Sequence, residues 1–198
     1  MGKIIKFPIP TPEKFGPQRV RKRKESRRNQ NGQLNLFSGG KVIKLNQLTS
    51  FEEALLLDEQ GNKQRAKVGY LQAIDQEDSI ADAYCNLGII ESFEGTHAKA
   101  IDYFTRCLKA EPRHFEAHYN LANLYAEIGN FSLAKAHYEI AIQLESSFPN
   151  SYFNLGLTLA MNKEFEKAVK VLNQFRKIAP IEDQKLADDM IEKLRSAR

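Results

Sequence analysis

An all-α solenoid of stacked helix hairpins is the fold that this 198-residue sequence predicts. Two observations carry the prediction. From residue 47 the chain repeats every 34 residues in four gapless blocks: 47–80, 81–114, 115–148 and 149–182. Within the blocks, apolar residues fall at helical spacing in two stretches divided by a turn signal, and no strand is predicted. One such helix pair cannot bury its apolar face alone, so the pairs must stack.

The first element in the chain is an arm, residues 1–46. Pro8, Pro10, Pro12 and Pro17 forbid a regular helix before Arg19. Asn29 to Gly32 and Ser38 to Gly40 are turn-like, and apolar residues are sparse, so the arm is expected to be disordered in isolation. It carries 12 Lys/Arg against 2 Asp/Glu, whereas residues 47–198 carry 17 against 23. The overall charge of +4 therefore hides a basic arm joined to an acidic body, a pattern of interaction tails.

Two segments of the arm have chemistry of their own. Arg19, Arg21, Lys22, Arg23, Lys24, Arg27 and Arg28 can neutralise phosphates and contact nucleic acid by counterion release. In a nucleated cell the same run reads as a nuclear localisation signal, and a solvated tail is the plainer alternative. Gln33-Leu34-Asn35-Leu36-Phe37 resembles the short motif by which bacterial replication and repair proteins dock on the DNA sliding clamp. Gln33, Leu34, Leu36 and Phe37 match that motif, and Asn35 stands where Ser or Asp is more usual. The alternative is that these apolar residues pack back on the body.

The four blocks share columns. Ala54, Gly88, Ala122 and Gly156 form a small-residue column, and Ala66, Ala100, Ala134 and Ala168 another. Tyr70, Phe104, Tyr138 and Leu172 form a large one. Small residues let the two helices approach, and the large column fills the gap beside them. Leu87, Leu121 and Leu155 repeat, with Glu53 breaking that column in the first block. Gly61, Gly95, Gly129 and then Lys163 mark the turn between helices. In the third block Phe115 to Ile128 is the first helix and the stretch from Phe131 the second, with Ala134, Tyr138, Ala141 and Ile142 on one side. Residues 183–198 close the chain. Leu186, Met190 and Leu194, at i, i+4 and i+8, read as a helix capping the last repeat.

These columns resemble the tetratricopeptide repeat family over residues 47–182. Tyr84-Cys85-Asn86-Leu87-Gly88 and Tyr152-Phe153-Asn154-Leu155-Gly156 have its look, with Tyr for the usual Trp. Pro112 and Pro180 match its repeat-ending proline, while Asp78 and Ser146 depart from it. The resemblance implies a right-handed solenoid whose first helices line a concave groove. The groove residues it implies are Phe51 and Leu55 in the first block, and Cys85, Asn86, Ile89 and Phe93 in the second. In the third they are Tyr119, Asn120 and Asn123, and in the fourth Phe153, Asn154, Leu157 and Met161. Asn86, Asn120 and Asn154 make a polar ladder. A carboxamide both donates and accepts, so such a ladder suits an extended peptide backbone.

Some family members hold a C-terminal carboxylate with Lys and Arg. The corresponding residues here, Phe51, Leu55, Tyr119 and Asn123, are not basic, so that mode is not expected. Asp58, Glu59, Asp82, Glu116 and Glu127 lie near the groove and favour an apolar or amphipathic segment with basic flanks. The arm meets that description through Ile4-Ile5, Phe7, Phe15 and Leu34 to Phe37, so it is expected to occupy the groove in cis.

The expected function is therefore a non-catalytic protein-binding module or scaffold. Its partner would be another protein, or its own arm. The alternative is a DNA replication or repair factor whose arm docks on a sliding clamp and touches DNA. No enzyme, cofactor or metal site is expected. His114 and His118, four apart, read as sharing a helix face, His118 in a core column; His97 and His137 have no evident partner. Cys107 falls in a small-residue core column, and no Cys–His arrangement is readable. No apolar run approaches a membrane span, two cysteines make no disulfide framework, and Met1 to Phe7 is too short for a secretory core. The reading is a cytoplasmic protein, or a nuclear one if the cell has a nucleus.

Overall fold

The computed structural model describes residues 18–20 and 48–196. The clamp-like motif at Gln33 to Phe37 and the basic residues Arg21 to Arg28 lie outside the described residues, as do Ile4-Ile5, Phe7 and Phe15. The described body is helical throughout, without a strand. Its helices are α1 (Ser50–Glu59), α2 (Lys63–Asp75), α3 (Ile80–Phe93), α4 (His97–Ala110), α5 (Phe115–Glu127), α6 (Phe131–Leu144), α7 (Pro149–Met161), α8 (Phe165–Ile178) and α9 (Ile181–Ser196). Each 34-residue block folds as one hairpin. Packing is densest within the hairpins, then between consecutive ones, and the first helices α3, α5 and α7 also touch in sequence. These first helices form one layer and the second helices the other.

The turn column explains the hairpins. Gly61, Gly95 and Gly129 sit at φ of 80°, 75° and 78°, and Lys163 at 62°. Glycine takes this left-handed conformation without steric penalty; Lys163 takes it at a cost of about 1 kcal/mol.

The small and large columns meet face to face. A Cβ placed on Gly88 would lie 2.7 Å from the Phe104 ring, and one on Gly156 2.8 Å from Leu172. Tyr70, Phe104, Tyr138 and Leu172 are all buried. The close approach of the helices and the burial of the large side chain are thus one event, repeated at each block.

The first block departs from the consensus and is held by polar devices. Thr49 and Glu52 form a reciprocal capping box at the start of α1. Asp78, in place of the repeat-ending proline, accepts the Phe51 N–H at 2.9 Å. At the other end α9 begins at Ile181, two residues before the predicted cap. It buries Ala187, Met190, Ile191 and Leu194 in the cluster that contains Leu172 and Phe175.

Candidate functional site

On the layer of first helices, α3, α5 and α7 present Asn86, Asn120 and Asn154, one per repeat, all buried. Residues 18–20 lie against the first two. The Gln18 N–H donates to Asn120 Oδ1 at 2.7 Å, and Asn120 Nδ2 donates to the Gln18 carbonyl at 2.8 Å. The Val20 N–H donates to Asn86 Oδ1 at 3.1 Å, and Asn86 Nδ2 donates to the Val20 carbonyl at 3.1 Å. Each carboxamide thus imitates a neighbouring strand. The N–H and C=O of one residue point the same way only in an extended chain, where residues two apart share a side. One step of 34 residues along the solenoid matches one step of two along the bound segment.

The scaffold fixes Asn86 and Asn120 through the N–H that the segment does not use, and takes both N–H groups of Asn154. Asn86 Nδ2 donates to the Tyr70 hydroxyl at 3.2 Å. The equivalent residue beneath Asn120 is Phe104, which has no hydroxyl, and Asn120 Nδ2 turns instead to Cys85 Sγ at 3.8 Å. Asn154 Nδ2 donates to the Tyr119 hydroxyl at 3.0 Å and to Asn123 Oδ1 at 2.9 Å. Tyr138 donates to the same Asn123 oxygen at 2.5 Å. Pre-set side chains of this kind reduce the ordering cost of binding.

Side chains of the segment add two contacts. Arg19 lies 3.3 Å from Asp58 Oδ1 and donates to the Asp58 backbone carbonyl at 3.4 Å. Asp58 lies near the end of α1, where the helix dipole favours a cation. Its carboxylate is 1% exposed and also faces Lys63 Nζ at 3.2 Å and the Tyr70 hydroxyl at 3.5 Å. Val20 is 1% exposed and belongs to the apolar cluster of Cys85, Ile89, Ala117 and Leu121. Arg19, assigned to nucleic-acid contact from the sequence, is here engaged with an aspartate.

Of the other groove residues expected from the sequence, Phe51, Cys85, Ile89, Tyr119, Phe153 and Leu157 are buried in the clusters between helices. Leu55 and Asn123 are half-buried, and only Phe93 and Met161, at the last turns of α3 and α7, are largely exposed. Polar main-chain capture, not a broad apolar trough, therefore dominates the described part of the site.

Titratable groups converge at two further places. Cys85, Cys107 and His114 bring their donor atoms within 4.8 Å of one another, and Asp82, Glu111 and His114 do the same. This Cys–His convergence was not readable from the sequence. His114 does not share a helix face with His118; it caps α5, its Nδ1 accepting the Ala117 N–H at 3.1 Å. Its Nε2 lies 3.0 Å from Asp82 Oδ1. The cluster has the donor types that soft divalent metals take, but both ring nitrogens already serve the protein. The hydrogen bond from Cys85, helped by His114, draws the Cys107 thiol down, while burial pushes Cys85 up.

The second place is a histidine pair. His137 does have a partner: its Nδ1 lies 2.9 Å from His118 Nδ1, and His118 Nε2 lies 3.1 Å from the Pro112 carbonyl. Burial and then the His118 charge hold His137 down at about 4, and burial lowers His118 as well. Between about pH 4 and 6.5 the unfolded chain then binds more protons than the folded one. Stability is complete above that window and falls as the pH drops through it. The melting temperature is expected to decline from pH 7 to pH 4, and His137→Gln, which cannot titrate, to reduce the slope. An unchanged slope in the variant would remove the pair as the cause.

Among the described residues no helix is long and apolar enough to cross a membrane. Two family models, both described as tetratricopeptide repeat, match residues 94–143 and residues 119–180. Solved structures of similar fold include MamA from Desulfovibrio magneticus RS-1, 18% identical with a TM-score of 0.61, covering 75% of this chain and 92% of that one. The TPR2B domain of yeast Sti1 in its pHsp70 complex is 20% identical with a TM-score of 0.55, covering 60% and 98%. The first TPR of RPAP3 bound to the HSP90 peptide SRMEEVD is 22% identical with a TM-score of 0.55, covering 59% and 91%.

Proposed function

We propose that this chain of tetratricopeptide repeats is a non-catalytic interaction module that holds an extended segment of a protein by its main chain, and that its own arm is one such segment. The observation that carries the reading is the pair of two-bond clamps, Asn120 on Gln18 and Asn86 on Val20. Backbone capture along a fixed surface is a general mode of peptide recognition. That one structure of the same fold is bound to an HSP90 peptide and another is a pHsp70 complex is in keeping with it. The chemistry of the ligand differs, because the charge beside this ladder is Asp58 and the HSP90 peptide SRMEEVD ends in acidic residues. A tethered arm has an effective concentration in the millimolar range for short flexible links. An outside partner therefore has to displace it, which makes the arm a regulator of access.

The test is affinity capture from host lysate, with nuclease added, on three full-length baits. They are the natural chain, the chain with Arg19→Glu and Val20→Asp, and that chain with Asn86→Ala and Asn120→Ala added. Partners of the groove are expected to be enriched on the second bait and lost from the third. Partners that come down equally with all three would place the function elsewhere in the chain.

A further inference from the structure

We infer that the groove reads side chains as well as main chain, and that its outside partner is a protein segment in which a basic residue is directly followed by a small aliphatic one. This rests on the reading of the groove as a peptide site and adds the identity of the peptide.

The argument starts from Asp58. A carboxylate only 1% exposed loses its hydration, and its position at the groove allows a cation on the ligand to restore that lost interaction. Lys63, from the next helix, supplies one cationic partner at 3.2 Å. Arg19 supplies the other from the bound segment, and its planar guanidinium spans the carboxylate oxygen and the Asp58 backbone carbonyl together. An acidic residue at the same place would meet Asp58 and the negative end of α1.

The neighbouring position is shaped, not charged. Val20 is closed off from solvent among Cys85, Ile89, Ala117 and Leu121, side chains that are themselves buried. A polar or charged side chain there would be buried without a partner, and a much larger one would overpack a closed cluster. Residue 18 contributes its backbone to Asn120. The code is thus Arg or Lys followed by Val or a close relative, in a segment held by its main chain across two repeats.

The experiment uses the full chain with Arg19→Glu and Val20→Asp, which removes both features from its own arm and opens the site. The probe is a synthetic peptide spanning residues 15–24, labelled for fluorescence anisotropy. It is compared with the same peptide carrying Arg19→Glu, with one carrying Val20→Asp, and with a scrambled peptide of identical composition. The natural peptide is expected to bind saturably. Val20→Asp is expected to weaken it at least about 30-fold, the effect of burying an unpaired charge, and Arg19→Glu about 10-fold, because the Arg19 side chain is 32% exposed and its charge is partly screened. The scrambled peptide controls for charge alone and is expected to bind as poorly as the substituted ones. Equal binding of the Arg19→Glu or the scrambled peptide, or no binding at all, overturns the inference. Adding Asn86→Ala and Asn120→Ala to the protein separates the two levels. If peptides bind without discrimination but still need both asparagines, the side-chain code fails and main-chain capture stands. If binding ignores the asparagines, the groove itself is not the peptide site.

Discussion

Asn86→Ala together with Asn120→Ala is expected to release residues 18–20 from the body while leaving the helices folded. The two carboxamides make four hydrogen bonds to the main chain of the segment. At about 0.5–1.5 kcal/mol net for each, the loss is roughly 2–6 kcal/mol, or about 30-fold to 20,000-fold in the docking equilibrium. The measurement is amide hydrogen exchange of Gln18 and Val20 in the full chain. Both amides are expected to be protected in the natural protein and to exchange as open chain in the double variant. Asn86→Asp is a shape-preserving control: it keeps an acceptor for the Val20 N–H but sets a carboxylate against the Val20 carbonyl. Protection that survives both changes would mean that Arg19 and Val20 alone hold the arm.

Gly88→Val is expected to destabilise the body strongly. A Cβ alone would stand 2.7 Å from the Phe104 ring, which is itself buried and has no room to retreat. Overpacking of this kind costs about 1–3 kcal/mol, and the two extra methyl groups place Val at the upper end or beyond. For a chain of this size that corresponds to a fall of roughly 6–12 °C in melting temperature. Gly156→Ala adds a single methyl group, 2.8 Å from Cγ and Cδ2 of the buried Leu172, and gains helix propensity of about 1 kcal/mol, so its net effect is expected to be smaller. Thermal denaturation of the two variants side by side checks the ordering. Equal effects would show that the ring at Phe104 is not the constraint.

The helices were legible because the 34-residue columns impose them: a small residue facing a large one across each hairpin is a packing rule that survives almost any surface sequence. The placement of Asn86, Asn120 and Asn154 along the first helices was legible for a similar reason, since the three recur at the 34-residue period. The expectation that the arm reaches the groove rested on its charge and on Phe7, Phe15 and Phe37, which lie outside the described residues. Within the described residues the contact is made by the main chain of Gln18 and Val20, and Val20 adds a small apolar side chain inside a run that reads as purely basic. The meetings of Cys85 with Cys107 and His114, and of His118 with His137, were not legible. Each joins side chains from different helices, and their facing depends on the packing of the hairpins, which no local spacing encodes.

A polypeptide backbone is the same every two residues, and a row of identical amides cannot tell one pair from the next. The ladder therefore behaves as a ratchet with equivalent notches: a strand that slips by two residues finds all of its carboxamide bonds again. A slip of one turns every side chain to the opposite face. The frame has to be set elsewhere, and Asp58 with the closed pocket of Val20 acts as the pawl. One notch forward would bring Arg21 to Asp58 but drive the ammonium of Lys22 into the pocket. One notch back would set Pro17 against the carboxylate and bury Gln18. Grip is thus shared by the second and third repeats while the reading frame is fixed near the first of them. A ligand reaching further along the solenoid would meet Asn154, whose two N–H groups already serve Tyr119 and Asn123, and would gain no equal clamp there.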